Sequence, residues 1–480
     1  MKFTTPILLA ACLVLGACAK NPVTGDSDFA LISEDEEVEQ GRSYHPEIIK
    51  TYGVYEDQEL QDYVDRIGQK LARKSHRSNL QFHFTVLDSA EINAFALPGG
   101  YIYVTRGIMA YLDSEAELAG VLGHEIGHVT ARHSVRQQGG QFVSDLLGVL
   151  ISATTGQSSL GNLSQQLSTG LIRGYGREHE LEADQLGAEY LHKTGFDPDN
   201  MLEVIGVLKD QEIYEKELAK RENRKANTYH GVYSTHPQND ERLKTVVRAA
   251  KKLSTKEYRD DNQLAYHQHI DGMVWGSSLN QGIVVNNRLA HPDLAIALQL
   301  PDGWKVDNNP QQLIARDPDT SALLQIGVVA REKDESTNEV LQRLTRNEEL
   351  DTESTDYGAT ARINVKAGDK SQPARVTAIL VNDDLVLTLL GTSSKKHYKL
   401  VDRQLIKTSE SFQNLDEAQV AAIKARRLQI IPRNTQSFES LAQQSALEYD
   451  AQNRLRLLNR SFPNGKINNL DQLKTVTLDE

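Results

Sequence analysis

The most informative stretch of this sequence covers residues 117–128 and reads ELAGVLGHEIGH. It contains the pattern HExxH within a helical repeat of apolar residues, and the helix is predicted to run from about Ser114, its N-cap, to Arg136. Because residues four apart share one face of a helix, His124 and His128 can present two imidazoles to a single metal ion. Glu125 lies one position further round, where its carboxylate can reach a water molecule bound to the same ion.

A second, acidic stretch supplies a third ligand, which is needed because a catalytic zinc site has three protein ligands and an open position. It lies in a helix predicted over residues 173–194 and contains Glu180 and Asp184, four residues apart. We expect Glu180 to bind the metal, and Asp184 to hold His124 or His128 through the ring nitrogen that faces away from the ion. Spacing alone leaves two alternative ligands in the same helix, Glu178 and Glu182.

Together, HEIGH at residues 124–128 and ELEAD at residues 180–184 resemble the signature of the HtpX, BepA and CAAX-prenyl-endopeptidase family of zinc metallopeptidases, which are gluzincins. The resemblance covers roughly residues 35–250. It implies one zinc ion per chain, with Glu180 as its third ligand and Asp184 as a buried supporting carboxylate. Some members of that family carry transmembrane helices. Beyond its N-terminus this sequence has no apolar run of about 18 residues, so it is more similar to the soluble lipoprotein branch.

Residues 93–100, with the sequence NAFALPGG, resemble the strand and turn that precede the active helix in this family. The resemblance implies an edge strand in which Asn93, Ala94 and Phe95 pair with an extended substrate. Such pairing reads the substrate through its backbone.

Residues 234–242 resemble the late His-Pro element of the family. The resemblance places His236 at the cleft, either as a donor to the oxyanion of the transition state or as a zinc ligand in a resting form. It also implies that Arg242 pairs with a nearby acidic residue, for which Asp184 is a candidate.

The implied reaction is hydrolysis of a peptide bond. Zinc lowers the pKa of its bound water toward about 7 and polarises the scissile carbonyl. Glu125 would take the proton of that water and pass it to the leaving amine. His133 and His179 are interpreted as structural or exposed side chains, because the ligand positions of the family are already filled.

The N-terminus predicts export and lipidation. Lys2 precedes an apolar run over residues 7–17, which is too short to span a bilayer core of about 30 Å and is typical of a signal peptide. The run leads into LGAC at residues 15–18, which resembles a lipobox and implies cleavage before Cys18 and lipid attachment to it. Ala19 follows in place of Asp. In lipoproteins of Gram-negative bacteria this implies the inner leaflet of the outer membrane, facing the periplasm.

Charge and cysteine content exclude other classes of protein. The chain has 480 residues, a formal net charge of −13 and two cysteines, Cys12 and Cys18. Nucleic-acid binding is not expected, because it requires a basic face. Since both cysteines lie at the N-terminus, neither a disulfide framework nor a cysteine-ligated metal site is expected in the body of the chain.

The predicted fold class is α+β, with a mostly helical zincin-type catalytic domain that contains a small β-sheet, followed by an α+β C-terminal region. The expected divisions are a signal peptide (1–17), a tether (18–33), a zinc metallopeptidase domain (34–254), an α+β domain of unknown role (255–415) and a small C-terminal module (416–480). The module faintly resembles a LysM unit but lacks its Gly-Asp turn, so a structural or protein-binding role is favoured over peptidoglycan binding. Residues 137–170 are interpreted as a lid over the cleft or as a loose surface helix.

These observations predict a lipid-anchored zinc endopeptidase of the bacterial envelope that cleaves misfolded or misassembled envelope proteins, a substrate class implied by the resemblance alone. The expected partners are protein or peptide substrates, the membrane through acylated Cys18, and the outer-membrane assembly machinery or peptidoglycan. The alternative is a non-proteolytic assembly factor that holds outer-membrane clients and uses the metal structurally. Glu125 argues against that alternative, because a protein that only binds clients needs no general base.

Overall fold

The computed structural model describes residues 32–136, 176–222, 258–309, 312–320, 322–367, 370–433, 437–465 and 472–479, with short stretches between residues 18 and 29. Its α-helices are Glu34–Tyr52, Gln58–Ala72, Arg106–Met109, Glu115–Thr130, His133–Arg136, Arg177–Thr194, Asn200–Arg221, Gln263–Ile270, Thr337–Thr345, Tyr398–Glu410, Glu417–Ala421, Phe438–Gln444 and Ala451–Leu458. Its strands are β1 (Cys18–Lys20), β2 (Ser27–Phe29), β3 (His83–Leu87), β4 (Ala94–Leu97), β5 (Tyr101–Thr105), β6 (Val274–Trp275), β7 (Ile283–Val285), β8 (Arg288–His291), β9 (Ile296–Gln299), β10 (Lys305–Asn309), β11 (Gln312–Arg316), β12 (Leu323–Ala330), β13 (Glu353–Thr355), β14 (Gly358–Ala367), β15 (Lys370–Leu380), β16 (Leu385–Thr392), β17 (Gln413–Asn414), β18 (Arg426–Pro432) and β19 (Gln472–Leu478). This mixture confirms the predicted α+β class.

The HExxH helix (Glu115–Thr130) lies at the centre of the catalytic unit. It begins at the predicted cap, where the Ser114 hydroxyl accepts a hydrogen bond from the backbone N–H of Glu117. It ends earlier than predicted, because Arg132 adopts a left-handed backbone conformation with φ 55° and separates it from the short helix His133–Arg136. Its residues after Glu115 are all buried. The helix is therefore enclosed, and the metal-binding motif that it carries is shielded from bulk water.

The ExxAD helix (Arg177–Thr194) packs along the HExxH helix through residues that are small. A Cβ atom added at Gly127 would lie 2.8 Å from the carbonyl oxygen of Ala183, and one added at Gly123 would lie 3.4 Å from the Cα of Gly187. The two backbones therefore approach closely at the level of the motifs. The helix ends as predicted at Gly195, whose φ of 86° suits a left-handed cap.

A small sheet with the strand order β3-β5-β4 lies beside the HExxH helix. Strand β3 runs parallel to β5 and β4 runs antiparallel to it, with Ala94 opposite Val104 and Leu97 opposite Tyr101. Strand β4 is thus an edge strand. It enters the turn Pro98–Gly100, where the sequence predicts a strand, a turn and a strand.

The second half of the chain contributes mostly antiparallel sheets. Seven strands form the order β10-β11-β12-β16-β15-β14-β13, and four form the order β17-β9-β8-β7. A three-stranded sheet, β19-β18-β6, joins the C-terminal segment to a strand that follows the helix Gln263–Ile270. The predicted order strand, helix, helix, strand occurs there as β18, Phe438–Gln444, Ala451–Leu458 and β19.

One apolar core links the catalytic helices with this C-terminal segment. It extends from Leu118 and Leu122 of the HExxH helix to Leu428, Phe438 and Val476. The C-terminal segment therefore packs as part of the same body as the catalytic helices, while the domain divisions drawn from the sequence stay predictions.

Several predicted features lie outside the described residues. These are the signal peptide, the segment 137–170, His236 and Arg242. Within the described part of the chain, none of the helices combines the length and the apolar character that a membrane span requires.

Candidate metal centre

Three of the predicted site residues converge in the structure. One donor atom from each of His124, His128 and Glu180 lies within 4.8 Å of the others, and all three side chains are buried. The Nε2 atoms of the two histidines are 3.0 Å apart. The carboxylate oxygens of Glu180 lie 3.7 Å from His124 Nε2 and 3.4 Å from His128 Nε2. Two imidazole nitrogens and a carboxylate oxygen form a donor set that suits a divalent metal such as zinc.

The structure distinguishes Glu180 from the two alternatives that spacing left open. Glu180 is fully buried against the histidines. Glu178 is exposed to solvent. Glu182 faces His133 and Arg136 instead, at 3.1 Å and 2.7 Å. Among the residues that the structure describes, no other group of His, Cys, Asp and Glu side chains has the spacing of a metal site.

Each histidine of the cluster is held from behind. Asp184 Oδ1 lies 2.8 Å from His124 Nδ1, so of the two histidines that the sequence allowed, Asp184 contacts His124. His128 Nδ1 lies 2.8 Å from Nδ1 of His133. Buried hydrogen bonds of this kind fix the ring orientation and leave Nε2 directed at the metal position.

The contact between His128 and His133 was missed by reasoning from the sequence. The sequence predicts a structural or exposed side chain for His133; the residue is 0% exposed and contacts a predicted ligand. A separation of five residues does not place two side chains on one helix face, so no helical rule pairs them. The histidine itself, close behind HExxH, is the one signal in the sequence that could have raised the question.

The groups around His133 have perturbed pKa values. A hydrogen bond from His133 and the adjacent Arg136 lower the pKa of Glu182 to about 2, against the effect of burial. Burial lowers the pKa of His133. Burial, then the neighbouring His133 and Arg136, lower the pKa of His179 to about 4; its ring stacks on that of His133 with centroids 4.3 Å apart. These surroundings favour the neutral forms of His133 and His179.

The remaining predicted residues flank this cluster. Glu125 follows His124 directly and is 2% exposed. Asn93, Ala94 and Phe95 are buried at the start of β4, which among the described strands pairs with β5 alone. The ring of Phe95 packs against Tyr103, with centroids 5.0 Å apart. Its side chain therefore serves packing, and the free backbone edge of β4 is the part that an extended peptide could use.

A buried pair of histidines, a carboxylate from a neighbouring helix and a glutamate next to the first histidine define the class: this is the centre of a metallopeptidase of the HExxH and ExxAD kind. Residues 58–250 match the family described as Peptidase family M48. This match confirms, over residues 58–250, the family resemblance seen in the sequence.

Named relatives agree with this assignment. The "Beta-barrel assembly-enhancing protease" of Yersinia pestis is 30% identical over 242 residues, which are 48% of this chain and 47% of that protein. The protein of the same name from Escherichia coli (strain K12) is 26% identical over 381 residues, which are 74% and 75% of the two chains. The "Mitochondrial metalloendopeptidase OMA1" of Schizosaccharomyces pombe is 27% identical over 255 residues, which are 52% and 70%. The match thus spans about half the length of the Yersinia relative and three quarters of that from Escherichia coli.

Proposed function

We propose that this protein is a zinc-dependent endopeptidase of the bacterial cell envelope. The observation that carries the proposal is the buried convergence of His124, His128 and Glu180 beside Glu125, within a domain of family M48. The donor set fits zinc, since it offers two imidazoles and one carboxylate, the number of protein ligands that a catalytic zinc site has.

His124, His128 and Glu180 would hold a zinc ion, and Asp184 would support His124 through Nδ1 of its ring. When bound, zinc supplies a more acidic water molecule and polarises the scissile carbonyl. Glu125 accepts the proton of the attacking water and delivers it to the leaving nitrogen. Because the HExxH helix is enclosed, this proton transfer takes place away from bulk water. His236 and Arg242 keep the roles that the family resemblance implies, at the cleft and beside an acidic residue.

The substrate lies along strand β4. An extended peptide there adds a strand to the sheet through main-chain hydrogen bonds. Of the predicted residues Asn93, Ala94 and Phe95, Asn93 already bonds to Thr105 through both its backbone N–H and its carbonyl, so the pairing is expected to begin at Ala94. Backbone pairing tolerates many side chains, which suits unfolded segments of varied sequence. It therefore favours misfolded or misassembled proteins as substrates over one defined sequence.

The proposed location is the inner leaflet of the outer membrane, reached through acylated Cys18. The LGAC stretch at residues 15–18 supports the lipid anchor. The name "Beta-barrel assembly-enhancing protease" borne by relatives supports envelope proteins as the clients. Mass spectrometry of the mature N-terminus tests the anchor: the expected product starts at a lipid-modified Cys18, and an unmodified cysteine would contradict it.

Glu125→Gln tests the chemistry. We expect casein cleavage to fall by about 10²–10⁴-fold while one zinc per chain is retained, because the amide cannot accept the proton. Glu178→Gln is the matched control on an exposed position and should leave the rate unchanged. A Glu125→Gln protein that cleaves as fast as wild type would refute the general base, and a wild-type protein without stoichiometric zinc would refute the site. Retained client binding with intact casein and bound zinc would instead favour the non-proteolytic assembly factor.

A further inference from the structure

We propose that His133 is a positioning residue of the metal centre, and that together with Glu182 it fixes both the ring of His128 and the location of its proton. The inference rests on the proposed zinc site and is independent of which peptide bond is cleaved. It assigns a role to two side chains that lie outside the HExxH and ExxAD ligand set.

The contacts form an unbroken chain away from the metal position. His128 Nδ1 lies 2.8 Å from His133 Nδ1, and His133 Nε2 lies 3.1 Å from Glu182 Oε2. Arg136 donates to the same carboxylate oxygen at 2.7 Å. His133 is fully buried, so water does not replace its bond to His128.

Once a metal is bound, the protons along this chain of contacts can adopt only one arrangement. His128 directs Nε2 at the cluster, and a metal-bound nitrogen carries no proton, so the proton of His128 sits on Nδ1 and is donated to His133. Nδ1 of His133 must then accept, which places its own proton on Nε2. That proton is donated to Oε2 of Glu182, the same oxygen that accepts from Arg136. Each group therefore specifies the tautomer of the next.

The backbone explains how His133 reaches His128. In a continuous helix, two residues five apart point about 140° away from each other. The left-handed conformation of Arg132 interrupts the helix and lets His133 fold back onto the preceding turn. Non-glycine residues seldom adopt this conformation, and here Arg132 is held in it by buried bonds to Glu37 and to the carbonyl of Ile32.

The two ligand histidines are thus supported differently. His124 donates to the carboxylate of Asp184 directly, and His128 reaches the carboxylate of Glu182 through an intervening imidazole. Loss of the intervening ring removes the hydrogen bond that orients His128 through Nδ1. Outer contacts of this kind typically change metal affinity by about 10–100-fold.

Zinc affinity of the full chain, measured by competition with a chelator of known affinity, tests the proposal. His133→Phe removes the acceptor and should weaken zinc binding by about 10–100-fold. His133→Asn places an amide oxygen near the former Nδ1 and should keep the affinity within about threefold of wild type. His192→Phe is the matched control, because it lies in the ExxAD helix about 18 Å from Glu180 along the axis, and it should bind zinc like wild type.

Glu182 provides a second pair of variants that leaves the buried ring in place. Glu182→Leu should weaken zinc binding by about tenfold, and Glu182→Gln, which still accepts from His133, should do so less. Equal affinity of His133→Phe and wild type, or equal weakening by His133→Phe and His133→Asn with unchanged unfolding of the metal-free proteins, would overturn the proposal. If His133→Phe does not fold, the ratio between Glu182→Leu and Glu182→Gln decides. A wild-type chain that binds zinc and cleaves no peptide would overturn the proposed function alone.

Discussion

The two ends of the HExxH helix are both held by buried charges, and they are held in different ways. At its start, two carboxylates of the helix region meet two cations from the C-terminal segment; this start network consists of Asp113, Glu117, Arg460 and Lys474. At its end, one carboxylate serves two guanidinium groups; this end network consists of Glu37, Arg77 and Arg132. The start network shares its bonds among several buried partners. The end network depends on one buried carboxylate, since the second acid near Arg77, Glu34, is exposed.

Lys474 illustrates the sharing in the start network. Its Nζ, 1% exposed, donates to the carbonyls of Ala110 and Leu112 at 3.1 Å and 2.6 Å and to Asp113. Arg460 lies 3.2 Å from Asp113 and also pairs with Glu117. Burial alone would raise the pKa of Asp113, but the adjacent Lys474 and Arg460 lower it overall. If one member of the start network is removed, each remaining charged group still has an oppositely charged neighbour.

Glu37 is the single anion that is buried within the end network. Its two oxygens accept from Arg77 at 2.9 Å and from Arg132 at 2.8 Å. Arg77 also donates to the carbonyl of Val129 in the last turn of the HExxH helix, at 3.1 Å. Loss of Glu37 would leave two buried guanidinium groups facing each other, which predicts the larger penalty at this end.

The largest effect is expected for Glu37→Gln. The free energy of unfolding should fall by about 3–5 kcal/mol, because the change removes the buried counter-charge of two buried cations and leaves only the exposed Glu34, 3.6 Å from Arg77. Urea denaturation in the presence of a chelator measures it without a contribution from metal binding. Glu39→Gln, with a side chain 68% exposed, is the control and should stay within about 0.5 kcal/mol of wild type. Equal losses in both variants would contradict the role of the end network.

Lys474→Met should lower the free energy of unfolding by a smaller amount, about 2–3 kcal/mol, because Arg460 continues to compensate Asp113. The double variant Asp113→Leu/Lys474→Met removes both charges and should recover at least half of that loss. The same urea titrations complete the double-mutant cycle. If the double variant loses as much as the sum of the two single ones, the pair is not coupled and the shared network is disproved.

The start network should also make stability depend on pH. Burial, opposed by Arg460, raises the pKa of Glu117 to about 7. The folded state therefore binds a proton that the unfolded state has released, so this contribution is present below about pH 4.5 and is lost as pH rises through 7. Glu117→Gln cannot titrate.

Between pH 5 and 8, the free energy of unfolding of Glu117→Gln should rise by about 1–3 kcal/mol relative to wild type, measured by urea titration at each pH. Asp113, with its lowered pKa, acts below this window and does not interfere. The exposed acid Glu203 offers a control, since Glu203→Gln should keep the wild-type slope. Parallel profiles of wild type and Glu117→Gln would show that Glu117 does not titrate there.

The smallest effect is expected where the start network reaches the surface. Glu203 pairs with Arg460 at 2.9 Å, but its side chain is 62% exposed. Glu203→Gln should cost less than about 0.5 kcal/mol, and the loss should vanish in 1 M salt because screening weakens exposed pairs. A loss above about 1 kcal/mol that persists at high salt would show that solvent exposure does not determine the order of the stability losses among these variants.

The features of this protein that could be predicted from the sequence are those set by residue spacing within one or two helical turns. His124 and His128 follow from a spacing of four, and Ser114 follows from the chemistry of helix caps. Glu180 could be separated from its neighbours in the sequence only by resemblance to a family, because three acids on alternate positions are equivalent until the helix is docked. Local periodicity therefore finds the ligands and leaves the choice among neighbouring acids open.

The rest depends on contacts between distant parts of the chain. Arg460 and Glu117 are 343 positions apart, and no local pattern links them. The contact of His133 with His128 depends on the left-handed backbone conformation of Arg132, which the helical pattern of the sequence does not predict. These contacts are determined by tertiary interactions, in which buried charges and backbone strain outweigh local helix propensity.

The close approach at Gly127 has a consequence for the evolution and engineering of the site. A methyl group there would meet the backbone at Ala183, which cannot turn aside as a side chain can, so Gly127→Ala would have to push the two ligand-bearing helices apart. The distance between Glu180 and the two histidines therefore depends on the absence of a side chain at Gly127. For the proposed metal site, the size of the ion that fits would therefore depend on Gly127, which is not one of the proposed ligands, and a search for variants with altered metal preference would begin there.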